Sequence, residues 1–142
     1  MSTMSAIDSA PGDSARFVLH EHFATRHHFD LRLEGAGTLW SWALPKGMPT
    51  DPSENRLAVR VGDHDLDHID FVDATPVDGT DGAISKSIAD SGTYTTVRSD
   101  QKRLVFDLDG SEGRARYALI HTGGTGWLLH LMTVSDGVTP QR

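Results

Sequence analysis

The sequence predicts an all-β fold, a sandwich or a barrel, in one domain. Two observations lead there. Short segments rich in β-branched and aromatic residues are punctuated by Gly, Asp and Pro at roughly 8–12-residue intervals. No stretch keeps a helical period for longer than a turn or two. At 142 residues, 37% of them hydrophobic, the chain can bury one core. Residues 1–14, mostly small and polar, read as a flexible leader, 15–134 as the folded domain and 135–142 as a flexible tail. Within the domain the pattern predicts strands at Arg16–His22, His27–Glu34, Thr38–Leu44, Arg56–Val61, Gly92–Arg98, Lys102–Leu108, Arg114–His121 and Gly126–Met132. Turns are expected at Gly35-Ala36-Gly37, Asp109-Gly110 and Gly123-Gly124. Asp63 to Asp90 is the least regular stretch and reads as a long surface excursion with one short helix.

Composition excludes several functions. With no cysteine, disulfides, thiolate metal sites and thiol catalysis are ruled out. A net charge of −7 argues against a wholesale electrostatic grip on nucleic acid, so any such contact must come from a local basic cluster or a bound metal. No apolar run is long enough to span a bilayer, and the N-terminus lacks the pattern of a signal peptide. A cytoplasmic location with no membrane partner is expected.

Four of the eight histidines (His20, His22, His27, His28) fall within nine residues. Strand parity sorts them. If Phe17, Leu19, Phe29, Leu31 and Leu33 face the core, then His22, His28, Asp30 and Arg32 share the opposite face of a hairpin turning at Phe23-Ala24-Thr25-Arg26. His20 joins that face, and His27 falls on the other. Two imidazoles and a carboxylate suit Mn²⁺, Zn²⁺, Fe²⁺ or Co²⁺, and three protein ligands leave positions open for water or substrate. A cation beside a fixed arginine suits a phosphoryl group. His64 is a candidate general acid or phosphate donor, and His68 a further donor. Lys46, Arg56 and Arg60 are candidate phosphate contacts, while Trp40 and Trp42 read as core. A facial triad of His28, Asp30 and a distal histidine such as His121 would instead suit a non-haem iron oxygenase, for which the chain is short.

The run from Phe17 through His22, His28, Asp30 and Arg32 to Glu34 resembles the 3′-phosphoesterase module of bacterial ligase D. So do Ser41-Trp-Ala-Leu-Pro-Lys-Gly47, Asp51-Pro52, Arg56-Leu-Ala-Val59, Asp63-His64, Leu104-Val-Phe-Asp-Leu-Asp-Gly110, Arg116-Tyr-Ala-Leu-Ile120 and Trp127-Leu-Leu129. The resemblance implies a compact β-barrel with an active-site groove on its surface, Mn²⁺ as the metal (Zn²⁺ or Co²⁺ as alternatives), and His22, His28 and Asp30 as its ligands. It implies that Arg32 and His64 engage the phosphate, and that the activity removes 3′-terminal ribonucleotides and 3′-phosphates during end joining. The implied partners are DNA or RNA-tailed DNA 3′ ends, with a DNA ligase, polymerase or end-binding repair protein alongside. The chain departs from that pattern at His20 (Gln in the family), Gly62 (Glu), Asp65 (Pro) and His68 (Tyr), and over Thr75–Ala83. Those departures keep a second reading open, a catalytically weakened relative acting as a metal-binding adaptor at DNA ends.

Overall fold

Alternating side chains carry eight strands into one closed antiparallel barrel, which decides between sandwich and barrel. The computed structural model describes residues 10–23, 25–70, 85–111 and 113–132. The strands are β1 (Ser14–Phe23), β2 (His28–Gly35), β3 (Thr38–Leu44), β4 (Arg56–His64), β5 (Ser85–Ser99), β6 (Arg103–Gly110), β7 (Gly113–Gly123) and β8 (Gly126–Leu131). Their order around the barrel is β1-β2-β3-β4-β8-β7-β6-β5, closed by pairing of β5 with β1. Phe17, Leu31, Leu33, Trp42, Leu44, Phe106, Leu119 and Leu129 fill the interior, with Trp40 beside them. The indole of Trp40 lies against Gly35, where any Cβ would collide with the ring, so this end of β2 needs glycine.

All eight expected strands are present, with three differences. The excursion expected from Asp63 to Asp90 is shorter at both ends, because Asp63 and His64 complete β4 and Ser85–Asp90 begin β5. Between them runs a 3₁₀ helix, Leu66–Asp70, and the segment Thr75–Ala83 lies outside the described residues. The Asp109-Gly110 turn falls one step later, since Gly110 still pairs with Gly113. The expected leader is tied down where it is described. Gly12 N–H donates to Thr96 O at 2.7 Å, and Thr96 N–H to Asp13 O at 2.8 Å. Residues 1–9 and 133–142 lie outside the described residues. Among the described residues no helix is long and apolar enough to cross a membrane.

Two bulges decide what the outer surface carries. Directly opposed residues of an antiparallel pair share a face, and one extra residue on one strand flips parity beyond it. On β4, Val61 opposes Ser41 but His64 opposes Leu39, so one extra residue re-aims His64 to the outside. On β5, Asp90 opposes Leu19 but Ile88 opposes His20, so Ile88 and Lys86 also turn outward. The 3₁₀ helix caps this outer face. Its Ile69 packs with Val18 and Leu39 of β1 and β3, supported by Leu66 and Ile88, as a small second core.

Candidate metal centre

The β1–β2 hairpin sets the site by register alone. His22 opposes His28, and His20 opposes Asp30. Their outward side chains meet at one corner: His22 Nδ1 and His28 Nε2 are 3.3 Å apart, and Asp30 Oδ2 lies 3.4 Å from His28 Nε2 and 4.0 Å from His22 Nδ1. Among the described residues this is the one group of three whose donor atoms converge in this way. A tetrahedral ion with bonds of ~2.1 Å has donor–donor edges of roughly 3.4 Å, close to the 3.3 Å and 3.4 Å edges here, while the edge from His22 to Asp30 is longer at 4.0 Å. The donor set therefore fits a divalent cation, with a small approach of His22 towards Asp30.

The tautomers suit that role. Arg26 O can only accept, so His28 Nδ1–H, 3.1 Å away, donates to it and leaves the Nε2 lone pair aimed into the triangle. Burial, then the neighbouring His28 and Lys86, lower the pKa of His22, which keeps its ring neutral and able to ligate. His27, on the opposite face as parity requires, bonds Glu21 Oε2 at 2.8 Å and stacks on Phe23.

Behind the triangle Arg32 is 2% exposed, and its donors are engaged. Nε–H donates to His20 Nδ1 at 3.1 Å, Nη1 contacts Ser41 Oγ at 2.9 Å and His64 Nδ1 at 3.0 Å, and Nη2 reaches Asp30 Oδ2 at 3.4 Å. One guanidinium thus orients a carboxylate of the triangle and an imidazole beside it. Because arginine only donates, His64 Nδ1 accepts and the ring proton sits on Nε2, and the ring also hydrogen-bonds the Gly62 backbone. Burial, then Arg32 and Lys86, lower the His64 pKa and favour that neutral form. His20 is fully buried and gives Nδ1 to Arg32, so it supports the shell and leaves ligation to His22.

Other expected residues divide. His68, from the 3₁₀ helix, joins the cluster, its ring 4.6 Å from that of His64 and 5.4 Å from that of His20. Lys46 is exposed just past β3, whose last residue Leu44 opposes Phe29, the neighbour of His28. Arg56 pairs with Glu54 at 3.2 Å at the start of β4. Arg60 lies over Trp42 and pairs with Asp63 at 3.1 Å. His121 bonds Gly124 O at 2.8 Å on β7, a strand that adjoins only β6 and β8, so the oxygenase triad does not form. Two contributors escaped the sequence reading. Ser41 opposes Arg32 and was findable from the pairing of β2 with β3, whereas Lys86 reaches this face only through the β5 bulge.

His68 is a built-in pH probe. Burial, then the charges of Lys86 and Arg32, push its pKa down to about 4. Since the folded value lies below the unfolded one, near 6.5, the unfolded chain binds more protons between those values. Stability is therefore expected to hold above pH ~6.5 and to decline as pH falls towards about 4. Histidine-detected NMR should find the His68 ring still neutral at pH 5, and a midpoint near 6.5 would contradict this environment.

Comparison with known proteins agrees with this architecture. The family described as the DNA Ligase D 3′-phosphoesterase domain matches residues 20–121. The chain is 43% identical over 123 residues to the multifunctional non-homologous end joining DNA repair protein LigD of Mycobacterium tuberculosis (strain CDC 1551 / Oshkosh), covering 84% of this chain and 16% of that protein. Against LigD of Mycolicibacterium smegmatis the identity is 38% over 141 residues (92% and 18%), and against LigD of Pseudomonas aeruginosa 41% over 116 residues (78% and 14%). The chain thus spans less than a fifth of the length of these relatives. With its eight-stranded barrel and a family match across most of its length, the chain belongs to the DNA ligase D 3′-phosphoesterase domain family.

Proposed function

We propose that this chain is a divalent-metal-dependent phosphoesterase that removes a 3′-phosphate or 3′-ribonucleotide from DNA ends during end joining. The observation that carries this reading is the convergence of His22 Nδ1, His28 Nε2 and Asp30 Oδ2 beside His64, whose ring is fixed by Arg32. A divalent ion held by those three residues, Mn²⁺ in our reading and Zn²⁺ or Co²⁺ as alternatives, would supply charge neutralisation at a phosphoryl oxygen and a more acidic water. The protein does the rest. Arg32 fixes the orientation of Asp30 and His64. His64, neutral and with its proton on Nε2, donates a hydrogen bond to a phosphoryl oxygen and can pass that proton to the leaving oxygen. His64 and His68, with Arg32 fixed behind them, form the phosphate-handling wall, with Lys46 and Arg56 beyond it along the path of the nucleic-acid backbone. A cytoplasmic role fits, with a DNA ligase, polymerase or end-binding repair protein as partner, by analogy with the end-joining relatives.

The test is phosphate release from a 3′-phosphorylated primer–template with Mn²⁺. Release that disappears on chelation and returns with added metal is the expected result. Tight binding of the DNA end with no release under any divalent metal would favour the adaptor instead, which Gly62 and His68, both departures from the family pattern, keep in view.

A further inference from the structure

Lys86 is the feature of this face that nothing above accounts for. It opposes His22 across the β1–β5 pairing, on the outer side because of the β5 bulge, so it stands one strand from the metal triangle. Directly opposed residues have Cβ atoms roughly 4.5–5.5 Å apart, within easy reach of a lysine stem. Its ammonium Nζ donates to His68 Nε2 at 3.2 Å, and His68 in turn packs on His64. The residue is half-buried, whereas Arg32 is sealed in and held by four neighbours. A guanidinium so fixed cannot follow a ligand. A lysine ammonium is a compact point charge on a flexible stem, which can follow a ligand.

We propose that Lys86 is a metal-independent anchor for the phosphoryl group, and that it biases the site towards a terminal phosphomonoester over a phosphodiester. The argument is electrostatic. At neutral pH a terminal phosphate carries close to two negative charges and a diester one, so an added cation near the phosphoryl oxygens attracts the monoester more strongly. His68 is the positioning residue, holding Nζ on the His64 side of the site. This inference rests on the phosphoesterase reading for its substrate preference, but the anion site itself does not.

The experiment uses the full chain and two readouts. Calorimetric titration with inorganic phosphate, on metal-free and metal-loaded protein, measures anchoring without turnover. Lys86→Met should weaken phosphate binding about tenfold in both states, as expected for loss of one hydrogen bond to a charged group, and Lys86→Arg should restore most of it. Circular dichroism and thermal melts establish that each variant folds. In turnover, Lys86→Met should raise KM for a 3′-phosphate end about tenfold, with a smaller effect on a 3′-ribonucleotide diester. Phosphate binding unchanged by Lys86→Met in folded protein overturns the anchor, and equal effects on both substrates overturn the preference. If wild-type protein hydrolyses neither substrate yet binds phosphate through Lys86, the anchor stands and the phosphoesterase reading falls.

Discussion

Replacing His28 by alanine is expected to abolish metal-dependent turnover and to weaken divalent-metal binding by more than the roughly 10–100-fold that loss of an outer-shell partner costs. The barrel should survive. The His28 side chain is 24% exposed, and in the protein it contacts donor atoms of the triangle and the carbonyl of Arg26, leaving the apolar interior untouched. No neighbouring histidine can take its place. His20 offers Nδ1 to Arg32, and His27 lies on the other side of the hairpin between Phe23 and Glu21. Calorimetry with Mn²⁺ and a phosphate-release assay measure the two losses, and a melting curve measures the third quantity. Metal affinity within threefold of wild type would show that the triangle is not the binding site.

How far the site could be read from sequence depended on whether strand parity was interrupted. Along β1 and β2 the alternation runs unbroken through the described hairpin, so the outward set His22, His28, Asp30 and Arg32 followed from apolar Phe17, Leu31 and Leu33. On β4 and β5 it is broken, and a bulge carries no signal in a sequence that tolerates many residues at the extra position. His64 was placed by resemblance alone. Simple alternation back from Tyr94, which faces the interior, would have turned Lys86 inward, so its presence beside His22 could not be read. The 3₁₀ helix adds a second layer invisible to parity. Its Ile69 docks on Val18 and Leu39, and that docking delivers His68 to the cluster. The burial of Arg32 was equally hidden, because an arginine on an outward face reads as solvated until something covers it. Bulges next to functional sites are a common way to aim a side chain that regular pleating would misdirect, and here two of them bring His64 and Lys86 to one face.

Arg32→Leu is expected to cost about 3–5 kcal/mol of stability, the range seen when one member of a buried ionic pair is removed. The reason lies in what is left behind. Asp30, 6% exposed, would lose its guanidinium neighbour, while His20, Ser41 and His64 would each lose a donor inside the protein. An unpaired buried polar group carries its desolvation cost with no return, and leucine fills the space without answering any of the four. Urea denaturation of the metal-free protein is the measurement, since bound metal would add its own stabilisation. Arg32→Lys separates charge from geometry. A single ammonium has three donors on one atom and cannot span acceptors that the fork of the guanidinium serves from three nitrogens. The lysine variant should therefore recover part of the stability but not the orientation of His64, leaving turnover far below wild type. If Arg32→Lys restores both, the cation alone matters and the hydrogen-bond network around it does not. If Arg32→Leu melts within 1 kcal/mol of wild type, the network contributes nothing to the fold, and Asp30 and His64 must be held by the strands that carry them.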